Sequence, residues 1–343
     1  MKKIKLIIVA GLLASVAQAQ QKPYYTQYIL NNYILNPAIS GIENYVDVKL
    51  SYRKQWDAIP GAPQTSYFSI QGPLNKSDFK TTPTSFQPAG ENPIGNSYYE
   101  DNVPSAPHHG IGMIVMSDKT GYLSRFSMYA TYAYHKAVSA QNSLALGFMA
   151  GFANNSLDRS KIEWATLDPN DPAVGLSNGE LKKFTPELGA GLWYYSQKFF
   201  LGASVLNIIP GKATFVKNSK YGTYYKPHFF AQGGYKFFIT DNLTVLPSMA
   251  LQFITPQPVQ VHTNVKFQYE DRLWFGGSYR YTDKLGGFAA MAGVNVMNTF
   301  NVGYSYDFAT NQRLKTYVGN THEIMIGFLL GNNYGYFCPK NVW

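Results

Sequence analysis

Strict alternation of apolar and polar residues, in segments of about ten residues separated by turn residues, is the feature that most constrains what this chain can fold into. Val46, Val48, Leu50 and Tyr52 fall on one face of an extended segment, and Asp47, Lys49 and Ser51 on the other. The same pattern sets Val259, Val261, Val265, Phe267 and Tyr269 against Gln260, His262, Asn264, Lys266 and Glu270. It sets Phe300, Val302, Tyr304, Tyr306 and Phe308 against Asn301, Gly303, Ser305 and Asp307. Beyond the N-terminus no stretch approaches the roughly 18 unbroken apolar residues that a membrane helix needs, and no helical period is sustained. Aromatics make up 16% of the 343 residues and charged residues 14%, yet the mean hydropathy is −0.20, so the apolar residues must be interleaved with polar ones. Aromatic side chains pack well on a pleated surface.

Fourteen such segments can be marked: Tyr45–Tyr52, Thr65–Gly72, Gly110–Ser117, Leu123–Lys136, Ser143–Ala153, Glu187–Ser196, Lys198–Leu206, Phe229–Thr240, Leu243–Phe253, Val259–Tyr269, Leu273–Tyr281, Phe288–Val296, Phe300–Phe308 and Glu323–Leu330. A soluble sandwich would also alternate. Tyrosine and phenylalanine clustered at segment ends, as in membrane-interface girdles, favour a different fold class: an all-β, transmembrane antiparallel β-barrel of about 14 strands in the outer membrane. Placing both termini in the periplasm makes the connections Ala137–Asn142, Ser196–Gln197, Asp241–Asn242, Glu270–Arg272 and Met297–Thr299 periplasmic, and all are short. The connections Asn154–Pro186, Asn207–Pro227 and Ala309–His322 are then extracellular, and long. Pro73–His109 is the exception, a long, polar, proline-rich insert on the periplasmic side.

The N-terminus reads as a secretory signal peptide over 1–19: a basic MKKIK, the apolar LIIVAGLLASVA, and Ala17-Gln18-Ala19 before Gln20. A leader (20–44), the barrel (45–330) and a C-terminal tail (331–343) follow. Of the formal charge of +9, Lys2, Lys3 and Lys5 belong to the signal segment, and the remaining basic residues are scattered. A nucleic-acid groove would need them clustered, so no nucleic-acid partner is expected. The single cysteine, Cys338, excludes an intrachain disulfide.

No catalytic, cofactor or metal constellation is visible. His108 and His109 are adjacent rather than one helical turn apart, the other histidines are scattered, and Asp168, Asn170 and Asp171 lie in a loop stiffened by Pro169 and Pro172. The chain is therefore read as a non-enzyme without cofactors. Asp47, Lys49, Arg125, His262, Lys266, Glu270, Arg280 and Asp307 are assigned to the lumen, either as the lining of an aqueous pore or as charges paired across strands. Tyr24, Tyr25, Tyr28, Asn32, Tyr33, Asn36 and Pro37 line the leader, and with Trp343 they are the candidate partner-binding residues. Such aromatic and amide residues suit either a docking strip or a plug packed inside the barrel.

The blocks YYTQYILNNYILNPAISG and SYRKQWDAIPGAPQTSYFSIQGPL resemble the N-terminus of the PorP/SprF family of outer-membrane barrels from the type IX secretion and gliding-motility apparatus. The likeness rests on Asn36-Pro37-Ala38 followed by Arg53-Lys54-Gln55-Trp56 and Gly61-Ala62-Pro63. It continues in LDPNDPAVG, in PELGAGLWYYSQKFFLGASVLN and in HEIMIGF. The resemblance implies outer-membrane lipid as the surroundings, and type IX components as partners. One branch holds or supports export of a large SprB-like surface adhesin, and another is a core subunit beside a periplasmic ring lipoprotein. A passive porin is the alternative outside the secretion machinery. The 73–109 insert and the 331–343 tail depart from the family pattern, and both are expected to help select a partner.

Overall fold

The computed structural model describes residues 28–76, 78, 80, 82–85, 104–158, 180–209, 226–240, 242–255, 257–270, 272–281, 286–296, 299–308 and 319–332. The 1–19 segment, Tyr24, Tyr25, Asp168, Asn170, Asp171, Cys338 and Trp343 lie outside them.

Among the described residues the alternating segments form fifteen antiparallel strands: β1 (Val46–Lys54), β2 (Gln64–Leu74), β3 (His108–Thr120), β4 (Leu123–Ala137), β5 (Ser143–Asp158), β6 (Glu180–Tyr195), β7 (Phe199–Leu206), β8 (His228–Tyr235), β9 (Phe237–Thr240), β10 (Leu243–Phe253), β11 (Gln260–Tyr269), β12 (Leu273–Tyr281), β13 (Gly287–Val296), β14 (Phe300–Phe308) and β15 (Thr321–Leu330). Both β8 and β9 pair with β10, so they are two parts of one stave and the wall has fourteen. The sheet closes where β1 pairs with β15, from Val46 opposite Leu330 to Lys54 opposite His322. Closure leaves no free edge for another strand to join.

Parity assigns the two faces. On β1, Leu50 is 44% and Tyr52 46% exposed, whereas Asp47 is 6% and Lys49 3%. An exposed apolar exterior around a buried polar interior inverts the soluble pattern and is stable only in a bilayer. Phe126, Phe184, Phe229, Phe253, Tyr279 and Phe308 extend the exposed belt around the barrel.

The strands differ from the sequence reading at their ends. The fifth runs on to Asp158 and the sixth begins at Glu180, so the connection between them is shorter than Asn154–Pro186. Asn154, Asn155 and Pro186 look like turn residues. Yet Pro186 sits in register opposite Phe152, and Asn155 opposite Lys183 with its side chain buried. The eighth segment breaks at Lys236, where the Lys236 amide turns away to donate to the Lys198 carbonyl. Residues 237–240 are all exposed, and β9 pairs with β10 through a register shift at Leu243.

Connections of unequal length mark the two ends of the barrel. One end carries the short turns, the entry of β1, the exit of β15 and the 75–107 insert between β2 and β3. The opposite end carries the longer connections, except the tight Gly121–Tyr122 turn between β3 and β4.

A lumen filled by the N-terminal leader

Residues 28–42 do not lie outside the barrel. They enter the lumen as three one-turn 3-10 helices, Tyr28–Leu30, Asn32–Ile34 and Pro37–Ile39. Ile29, Leu30, Tyr33, Ala38, Ile39 and Ile42 join wall residues Ile114, Tyr129, Met149, Trp193, Phe200 and Leu206 in one apolar cluster. Fully burying an isoleucine or leucine stabilises by roughly 1.5–3 kcal/mol. The barrel thus gains the apolar core that a polar lumen lacks.

The third turn shows why these residues occur together. Asn36 caps it, its side-chain oxygen accepting from the Ala38 amide at 3.0 Å, and Pro37 fills the first helical position. The other end of the same amide donates to the wall, to the carbonyls of Leu192 on β6 (2.9 Å) and Ala203 on β7 (3.3 Å). Glycines on the inward face make room. A Cβ at Gly191 would overlap the Asn36 amide, one at Gly147 would strike Ala38, and one at Gly110 would strike Ser40.

Around this anchor the leader is bonded to several staves. Asn31 donates to Ser69 on β2 (3.0 Å), the Tyr33 hydroxyl pairs with Thr131 on β4 (2.6 Å), and Ser204 on β7 donates to the Leu35 carbonyl (2.6 Å). The Gly41 amide donates to the Gln71 side chain (2.5 Å), with Gly41 itself at φ +72°. Two stacked imidazoles hold the next carbonyls. His135 donates from Nε2 to Ser40 (2.8 Å) and takes the Tyr195 hydroxyl at Nδ1 (3.1 Å). His108 places Nε2 3.1 Å from the Gly41 carbonyl, with its ring centre 4.5 Å from that of His135. Burial pushes the Tyr33 hydroxyl well above the ordinary tyrosine range.

The described ends of the insert close over the leader's exit. Thr82 and Ser85 donate to the Glu43 carboxylate at 2.7 and 2.6 Å, and the Lys76 ammonium donates to the Ile42 carbonyl at 2.5 Å. Burial lowers the Lys76 ammonium from its ordinary value, against the opposing pull of Glu43 and Asp78. Asp78 accepts from the Ser105 hydroxyl and the Ala106 amide, both at 3.0 Å, tying the two sides of the insert together.

Nearer the opposite end the lumen holds paired charges. Arg53 on β1 bonds Glu323 on β15 (2.8 Å) and Asp307 on β14 (2.6 Å), and Arg280 on β12 reaches Asp307 at 3.5 Å. Arg125 pairs with Glu187, which also takes the Tyr129 hydroxyl (2.6 Å). At the leader's own end, near the entry of β1, Lys49 pairs with Asp47 on the same strand. Lys266 and His262 are buried on the inward face of β11, whereas Glu270 lies beyond that strand, in the turn, at φ 49°.

Of the residues assigned to a partner, Tyr28, Asn32, Tyr33, Asn36 and Pro37 are therefore buried against the barrel's own wall. In this conformation their side chains are not available to another protein. Gln71, Thr131, Ser204, His108 and the inward glycines are site residues that the alternation did not single out. An inward-facing glycine in a strand is a signal for close approach of another backbone, and Gly110, Gly147 and Gly191 carried it. Trp56, the last residue of the Arg53-Lys54-Gln55-Trp56 motif, is exposed at φ 50° with its amide 3.3 Å from the Thr321 hydroxyl. No group of three or more His, Cys, Asp or Glu residues able to hold a metal occurs among the described residues.

A closed antiparallel wall, apolar outside and polar inside, defines an outer-membrane β-barrel protein whose interior is occupied by its own N-terminal segment. The family described as type IX secretion system membrane protein PorP/SprF matches residues 17–328, and the chain belongs to it. No curated protein matches the sequence. Among solved structures it is similar to the Acinetobacter baumannii outer membrane protein Omp33, with 8% identity, 85% of this chain and 100% of that one covered, and a TM-score of 0.45. It is also similar to the CymD monoaromatic hydrocarbon channel, with 11% identity, 89% and 92% coverage and a TM-score of 0.47. Variants of the Rh. blastica porin follow at 9% identity, 83% and 99% coverage and a TM-score of 0.35.

Proposed function

We propose that this protein is a non-enzymatic scaffold of the type IX secretion and gliding machinery that holds, or supports export of, a large surface adhesin of the SprB type. The observation that carries this reading is the occupied lumen. A diffusive porin needs a continuous aqueous path, and here the leader crosses the interior and is bonded to β2, β4, β6 and β7. With the short turns placed in the periplasm, as such barrels have them, the leader's exit, the described ends of the insert and the exit of β15 share the periplasmic mouth. Burial of residues 28–42 shifts the candidate contact surface toward the insert and the tail. Co-purification from native membranes tests the reading. Recovery of an adhesin C-terminal region supports it, recovery of a periplasmic ring lipoprotein moves it to the core-subunit role, and a bare barrel overturns it.

A further inference from the structure

At the end of the wall opposite the leader's exit, the last outward side chains fall into two arcs. On β8, β10, β12, β13 and β14 they are Phe229, Phe253, Tyr281, Phe288 and Phe308, all exposed, as in the aromatic girdle of a lipid interface. On β15, β1, β2 and β3 they are His322, Lys54, Gln64 and Lys119. These four form one register row: His322 opposite Lys54, Lys54 opposite Gln64, and Gln64 opposite Lys119. One arc of the rim is aromatic and the other basic.

The basic row sits at headgroup height. On β2 the outward face carries the exposed Leu74 at one end, Ile70 and Phe68 between, and the exposed Gln64 at the other. The ten steps from Leu74 to Gln64 rise about 26 Å in a stave tilted about 40°, and the apolar band of such barrels is about 25 Å tall. Lys54 and Lys119 stand two strand spacings apart, about 10 Å, so their flexible stems can converge on one group between them. Neither ammonium forms an ion pair among the described residues. Asp57, the carboxylate that Lys54 influences, is itself held by the Asn320 amide (2.8 Å) and by His322 (3.3 Å).

We propose that the arc from β15 to β3 binds the phosphate group of a membrane lipid. Lys54 and Lys119 hold the phosphate from either side, the Gln64 amide donates between them, and the acyl chains lie against Leu50, Tyr52 and Phe68. Two observations select this occupant. Cations without ion-pair partners at the edge of a bilayer attract anionic headgroups, and the row continues the lipid-facing belt without a break. A free phosphate would gain the first contact and forgo the second. With the short turns in the periplasm, the lipid belongs to the outer leaflet. Such a site needs only the barrel in its bilayer, whatever protein partner it holds.

Native mass spectrometry of the full-length barrel in detergent tests this, with phosphatidic acid as the probe and phosphatidylcholine of the same acyl chains as the reference. Preferential retention of phosphatidic acid is expected. Lys54→Gln with Lys119→Gln should weaken that retention by roughly fivefold per lysine, about 25-fold together, and Lys54→Arg with Lys119→Arg should keep it. Lys136→Gln removes an outward charge at the other end of β4 and should leave retention unchanged. Equal retention of the two lipids, no loss in the double glutamine variant, or an equal loss in Lys136→Gln overturns the proposal. Displacement of the lipid by millimolar inorganic phosphate also overturns it, in favour of a free-phosphate site. Should the double variant not fold, Lys119→Gln alone decides, with a loss of about fivefold expected and unchanged retention overturning the proposal.

Discussion

Both ends of the Asn36 amide are committed, one to the Ala38 amide and the other to the carbonyls of Leu192 and Ala203. Truncation removes the bond to the buried Ala38 amide and both bonds to the part-buried wall carbonyls. Asn36→Ala is expected to destabilise the leader's seat by roughly 2–3 kcal/mol, from the lost cap and the lost bonds to the wall together. The change would be read as a lower temperature at which the barrel loses its folded migration in detergent gels. Gly191→Ala should act in the same direction, because the added Cβ meets the same amide. Asn36→Asp keeps the cap and loses both donors, so it should fall between wild type and Asn36→Ala. A second residue-scale test concerns pH. The Asn320 amide, with a further contribution from His322, holds the Asp57 carboxyl below the ordinary carboxylate range and fixes the β1–β2 loop to the start of β15. A lowered folded pKa contributes stability above the unfolded value of about 3.9, and that stability is lost as pH falls through the folded value. The difference in thermal midpoint between wild type and Asp57→Asn should be present at neutral pH and vanish in acid below that range. A difference unchanged at low pH would exclude the ionic contribution.

At the scale of elements, the seam between β1 and β15 decides whether the wall closes. Arg53, Glu323 and Asp307 join three staves inside the lumen, and removing one partner of such a buried set leaves an uncompensated charge. Arg53→Met is expected to cost about 3–5 kcal/mol, and Arg53→Met with Glu323→Gln should recover part of it. Urea unfolding in lipid vesicles measures both, and a double variant no better than the single would rule out charge as the cause. Most staves were legible because parity along a strand is a property of the sequence: Leu50 and Lys49 cannot exchange faces without moving the whole strand. Strand ends were less legible. Pro186 and Asn155 read as turn residues, yet a barrel stave continues as long as its neighbours pair with it. The break at Lys236 depends on a carbonyl from Lys198 that no local pattern announces. The leader's composition permitted a docking strip or a plug equally, because one-turn helices have no period to fix a buried face. What distinguished the two lies elsewhere in the chain, in glycines of β3, β5 and β6 that clear a path for it.

For the whole molecule, the scaffold and porin readings differ in one physical quantity. The lumen holds a segment whose apolar residues sit in the main core cluster and whose polar groups bond several staves, so thermal fluctuation of single side chains cannot open a path. The intact barrel in a planar bilayer is expected to show no steady conductance. Removing residues 28–42 leaves an inward face on which Ser69, Gln71, Thr131, Ser204 and the charged groups of β1, β4 and β6 can be wetted, beside the apolar side chains of Ile114, Met149, Trp193, Phe200 and Leu206. That variant, if it inserts, should conduct ions in stable steps, because a fourteen-stave wall stripped of its filling is wide enough for water. Variants that only loosen the seat, such as Asn36→Ala, should give brief openings with a closed state still dominant. A steady open level in the unaltered protein would show that the leader leaves the lumen in a bilayer, and it would favour the porin over the scaffold.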